Sequence, residues 1–120
     1  SVGCCALEDR ERARYLAREH LAFYVGGMGT FYREAMSRQG YDETAKTIAQ
    51  RWGSGDKEAA IDAIDDDVLD AFSAAGHPDE CRERLAAFER IDGVDAVAVS
   101  FPRAADREEI AATAETLAAD

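Results

Sequence analysis

Only three cysteines, two prolines and one tryptophan occur in this chain of 120 residues. Cys4 and Cys5 are adjacent, so a strand turns them to opposite faces. Cys81 falls in a separate helical segment, and His20 and His77 stand at no metal-ligand spacing from any of the three. That pattern excludes a disulfide framework and a closed four-ligand zinc site. It leaves buried thiols in a reducing compartment as the expectation. Long apolar runs are also missing. None approaches the roughly 18 to 20 residues of a membrane helix, and the chain opens with no basic-then-apolar leader. A soluble, cytoplasmic protein is expected.

Lysine is scarce: Lys46 and Lys57 stand beside 12 arginines and face 25 acidic residues, for a net charge of −11. Such an acidic chain is poorly suited to nucleic acid or anionic membranes, because no face concentrates the cations that would displace phosphate counterions. The balance resembles that of halophilic proteins, where salt screens the self-repulsion of an acidic surface. Alanine supplies 24 residues and aromatics only 10, so helices form readily while large core side chains are few.

Residues 2–7 (Val-Gly-Cys-Cys-Ala-Leu) form a short apolar run bounded by charge and read as a buried strand. From Asp9 the period changes. Ala13, Leu16, Ala17, His20, Leu21 and Tyr24 lay one apolar stripe along a helix of about four turns. Gly26, Gly27 and Gly29 then suggest a helix stop and close turn before a short helix with Phe31, Tyr32, Ala35 and Met36. Tyr24 and Tyr32 are expected to pack rather than to line a pocket. Asp42 is the expected N-cap of a helix facing inward with Ala45, Ile48, Ala49 and Trp52, and Asp56 that of the next. Asp65, Asp66 and Asp67 fit the positive end of a helix dipole better than a metal site.

Pro78 suits the first position of a helix whose inward face is Cys81, Leu85 and Phe88. Residues 94–100 give the best strand pattern. Asp106 with Glu109 makes a capping-box start for a last helix using Ile110, Ala114, Leu117 and Ala118. The order is strand, a long run of helices, strand, helix. Two parallel strands with a long helical crossover and a closing helix cannot complete a sheet by themselves, since parallel pairs need cover and further neighbours. The missing strands are expected from another copy or from an N-terminal part of a longer protein.

Several motifs occur in a specific order: Asp9 with Ala13-Arg14, residues 21–29 (Leu-Ala-Phe-Tyr-Val-Gly-Gly-Met-Gly), Phe31-Tyr32, residues 76–81 (Gly-His-Pro-Asp-Glu-Cys), and Gly93-Val94-Asp95. In this order the chain resembles the C-terminal region of the luciferase-like monooxygenase superfamily. The likeness is greatest to its deazaflavin (coenzyme F-420) dependent reductases, such as the methylene-tetrahydromethanopterin reductases. The resemblance covers essentially residues 1–120. It implies an α/β fold, the C-terminal part of a TIM-type (β/α)8 barrel that takes about 250 residues when complete. Residues 2–7 would be the seventh strand and residues 94–100 the eighth.

The implied activity is hydride transfer between F-420, or alternatively FMN, and a small organic substrate, by a chain inactive alone. Partners implied are the missing barrel portion or further copies in an oligomer. At the mouth would lie Glu8 and Asp9 after the first strand, and Ser100, Phe101, Pro102 and Arg103 after the second. Ser100, Phe101 and Arg103 are the candidate cofactor- or substrate-binding residues. Arg103 would meet an anionic group, or else pair with Asp106. His77 stands where relatives carry Ser or Thr, a weaker cap by about 1 kcal/mol. The alternative function is a non-catalytic helical module that self-associates or pairs with a related barrel protein.

Overall fold

The computed structural model describes residues 2–91 and 98–118. Its elements are β1 (Val2–Ala6), α1 (Arg10–Gly27), α2 (Phe31–Arg38), α3 (Asp42–Gly53), α4 (Lys57–Asp62), α5 (Asp66–Phe72), β2 (Ser73–Gly76), α6 (Pro78–Glu89), β3 (Val99–Ser100) and α7 (Arg107–Ala118). The chain divides into two units, residues 1–17 with 70–120, and residues 18–69.

The first unit holds a three-stranded parallel sheet in the order β2-β1-β3. The expected parallel pairing of the first apolar run with the segment ending at Ser100 is present, with Val2 opposite Val99 and Gly3 opposite Ser100. Of the segment expected as a strand, residues 94–97 lie outside the described residues. The two-strand reading is corrected by β2, which pairs with β1 from Gly3 opposite Ser73 to Ala6 opposite Gly76. Ser-Ala-Ala-Gly carries neither β-branched side chains nor alternation, so nothing in its pattern marks it as strand. Its small residues instead let helix α6 lie close, and all four are buried.

Alternate residues of β1 face the same way. Val2, Cys4 and Ala6 join Ala74 and Cys81 in a buried cluster, against which Leu85, Phe88 and Leu117 pack. Leu85 and Phe88 thus face inward as expected. On α7 the expected inward alanines Ala114 and Ala118 are exposed, and the buried residue is Thr113.

Side chains take the place of strand neighbours where β1 outruns β3 and along β2. On one side of β1, the N–H of Val2 donates to the Ala98 carbonyl at 2.8 Å, but β3 is too short to follow β1 to its end. There the Ala6 N–H donates to Thr113 Oγ1 at 2.9 Å, and that hydroxyl donates to the Glu109 carbonyl at 3.0 Å. On the β2 side, the Ala75 carbonyl accepts from Arg14 Nη1 at 3.0 Å. Arg14 is 2 % exposed and its charge is met by Asp70 at 3.0 Å, which also pairs with Arg84 at 3.3 Å. The expectation of a sheet unable to satisfy its own edges is corrected to that extent.

In the second unit, α3 packs against both α2 and α4. Met36, Ala45, Ile48, Ala60 and Ile61 are buried. Gly26 and Gly27 lie within α1 rather than ending it, and their role is close approach: a Cβ at Gly26 would meet Trp52 Cβ at 2.6 Å. The turn is made two residues later by Gly29, at φ +83°. Tyr24 and Tyr32 do pack, with ring centroids 4.9 Å apart. Asp42 is not the N-cap of α3. Tyr41 holds that place, and Asp42 sits in the first turn paired with Lys46. Asp56 and Asp65 do cap, accepting from the N–H groups of Ala59 and Val68.

Candidate functional site

The strands are parallel, so the turns that follow them lie toward one end of the sheet, where α/β folds place their ligands. Three helices start there. Asp9 accepts from the Arg12 N–H at 3.1 Å and caps α1. At α6 the Glu80 carboxylate reaches back to the His77 N–H at 3.2 Å, so the third helical residue supplies a cap bond where Ser or Thr was expected to be missed. At α7 the capping box read from the sequence is present in both directions, Asp106 N–H to Glu109 and Glu109 N–H to Asp106, at 2.9 and 2.8 Å.

The two capping glutamates have a second task. Arg10 grips Glu80 with two parallel bonds, Nε to Oε1 at 3.0 Å and Nη2 to Oε2 at 3.1 Å. Arg12 donates from Nε to Glu109 Oε2 at 3.0 Å. Both arginines stand in the first turn of α1, so that turn is strapped to the first turns of α6 and α7 through charge-assisted bonds. The arginine beside each one holds the Glu80 and Glu109 carboxyls below the usual carboxylate range. Gly76 makes room: its φ is +150°, and a Cβ there would run into the Glu80 carboxylate.

Around this frame an open cleft of about 360 Å³ lies at the end of β1. Ala6, Leu7 and Glu8 form one wall, Pro78 and Arg82 of α6 another, and Ala112, Glu115 and Thr116 of α7 the third. Leu7 and the alanines offer an apolar surface, with Glu8, Arg82, Glu115 and Thr116 as polar groups that fix orientation. Arg82 is held by Asp79 at 2.8 Å. Among the described residues, no group of three or more His, Cys, Asp or Glu is placed to hold a metal ion.

Of the residues expected at the mouth, Glu8 lines the cleft. Ser100 pairs with Gly3, three residues before the end of β1, so β3 ends roughly 10 Å short of the level of Ala6. Phe101 is half-buried and Arg103 exposed. His77 is exposed. The arginine straps were not read from the sequence. Their signal was a glutamate at the third position of two helices, each needing a cation once buried beside the sheet.

The luciferase-like monooxygenase model matches residues 1–95. The chain belongs to the luciferase-like monooxygenase family. Over 102 residues it is 34% identical to a 5,10-methylenetetrahydromethanopterin reductase of Methanopyrus kandleri, covering 84% of this chain and 28% of that protein. Over 109 residues it is 29% identical to a Mycobacterium tuberculosis protein assigned as a coenzyme F420-dependent oxidoreductase, covering 88% and 31%. A 5,10-methylenetetrahydromethanopterin reductase of Archaeoglobus fulgidus is 27% identical over 103 residues, covering 84% and 31%. The chain therefore spans less than a third of these relatives' length. No solved structure matches. Among the described residues, no helix is long and apolar enough to cross a membrane.

Proposed function

We propose that this chain is the C-terminal portion of a (β/α)8-barrel oxidoreductase that uses coenzyme F-420, and that hydride passes there between the deazaflavin and a small organic substrate. Family membership supports the redox class, and the names of the matched relatives support F-420 over FMN. The observation that carries the reading is the cleft at the end of β1, framed by Arg10–Glu80 and Arg12–Glu109. A flat, polar-edged ring fits such a wall, with Leu7 and Pro78 against its face and Arg82 and Thr116 as donors at its edge. The bound deazaflavin would supply the hydride chemistry. This chain's residues would hold one side of the ring and keep water from it.

In the same reading Ser100, Phe101 and Arg103 approach substrate or cofactor from the β3 side, with Arg103 bonding an anionic group. The remaining strands come from the rest of the barrel, and oligomerisation runs through the helices of residues 18–69. The test is a titration of F-420, followed by its fluorescence, into the chain alone and into the chain joined to the preceding barrel segments. Saturable binding to the joined form is expected. Absence of binding in both forms overturns the reading.

A further inference from the structure

Cys4 and Cys81 share the face of the sheet that α6 covers. Ala74 stands in register beside Cys4, and Cys81 Sγ donates to the Ala74 carbonyl at 3.2 Å. Both cysteines belong to one cluster and neither is exposed. Cys4 Sγ donates to the Val2 carbonyl at 3.7 Å, and the two cysteines pack in the same cluster although 77 positions separate them. Cys5, next in sequence, points to the opposite face. Two thiols in one cluster on different elements exceed what packing needs, since any pair of small apolar residues would fill that space.

The two are also unequal. Cys81 lies in the first turn of α6, where the helix N-terminus favours a thiolate. The neighbouring Cys4 thiol lowers its pKa further, while the Cys81 sulfur and then burial push Cys4 up. Cys81 is thus the attacking sulfur and Cys4 the resolving one.

We propose that Cys4 and Cys81 are a reversible dithiol–disulfide site, oxidised by hydrogen peroxide to a cystine that staples α6 to β1. The Cys81 thiol gives up its proton, its thiolate attacks one peroxide oxygen, the O–O bond breaks, and the leaving hydroxide takes up that proton as the first water, with Cys81 now a sulfenic acid. The Cys4 thiol then attacks that sulfur and the S–O bond breaks. The departing oxygen takes the Cys4 proton and leaves as water. Each cysteine sulfur loses one electron, and the peroxide is reduced to two waters. Both sulfurs are closed to solvent, so the reaction passes through local opening of α6. The disulfide fixes the helix that carries Glu80 and Arg82 to the strand that ends at the cleft.

The reduced chain is exposed to hydrogen peroxide in native buffer, quenched with catalase, unfolded, alkylated with iodoacetamide and weighed intact. Labelling falls from all three cysteines to one, thiol reductant restores all three, and the oxidised form melts at higher temperature. Cys5→Ser keeps the loss of two labels, whereas Cys4→Ser and Cys81→Ser each abolish it. Three labels after full peroxide exposure, a link that survives in Cys4→Ser, or Cys81 oxidised to sulfinic acid beside a free Cys4 overturns the proposal.

Discussion

Thr113 Oγ1 accepts the backbone N–H of Ala6 at 2.9 Å across 107 positions of sequence. A side chain of α7 thus finishes a ladder that β3 begins, with the hydroxyl proton committed to the Glu109 carbonyl. Thr113→Val keeps the shape and removes the acceptor, stranding a buried N–H. A loss of about 1–3 kcal/mol is expected by urea unfolding, and Thr113→Ser recovers most of it. A Thr113→Val variant as stable as the parent shows that the bond contributes nothing net.

Removing Asp70 takes a carboxylate partner from a buried guanidinium. Arg14 is almost fully enclosed, and its contact with the Ala75 carbonyl does not neutralise its charge. Asp70→Ala is expected to cost about 3–5 kcal/mol, the range for breaking a buried pair from one side. Arg14→Met with Asp70→Ala costs less than the two single changes summed. Additive losses in that cycle refute the coupling.

The straps make stability depend on acid. Glu80 and Glu109 both have folded-state values below their unfolded ones. Their contribution is therefore complete above the unfolded value near pH ~4.3 and is lost as pH falls through the lower folded values. The melting temperature of the parent chain should fall more steeply below that pH than that of Glu80→Gln/Glu109→Gln. Parallel curves for the two proteins count against the straps.

Gly26→Ala places a methyl on Trp52. Overpacking of this kind costs about 1–3 kcal/mol. The chain's one tryptophan reports it directly, through a changed near-ultraviolet circular dichroism band and a shifted emission maximum. Gly53→Ala, where a Cβ meets nothing, leaves both signals alone.

What was legible in the sequence follows from which signals are local. The seven helices among the described residues appear where periodicity, Asp56, Pro78 and the Asp106 to Glu109 spacing place them, because caps and stripes act within a few residues. β2 was hidden because Ser73–Gly76 has no side chains large enough to show an inside and an outside. Arg14 was hidden for a different reason. It lies among Ala13, Leu16 and Ala17, but a buried arginine is defined by its partners, and Asp70 and Ala75 are more than fifty positions away. At the cleft, Glu8 was expected from the barrel that the resemblance implies, whereas Arg10, Arg12 and Glu80 were not.

The flank of β1 away from β2 admits one tenant at a time. In a closed ring built in chain order, β1 would touch β2 on one side and an earlier stave on the other, leaving β3 beyond β2. Here Ala98 and Thr113 occupy that flank. Admission of an earlier stave would require their eviction. Amide exchange at Val2 and Ala6 is the direct gauge of which occupant holds it.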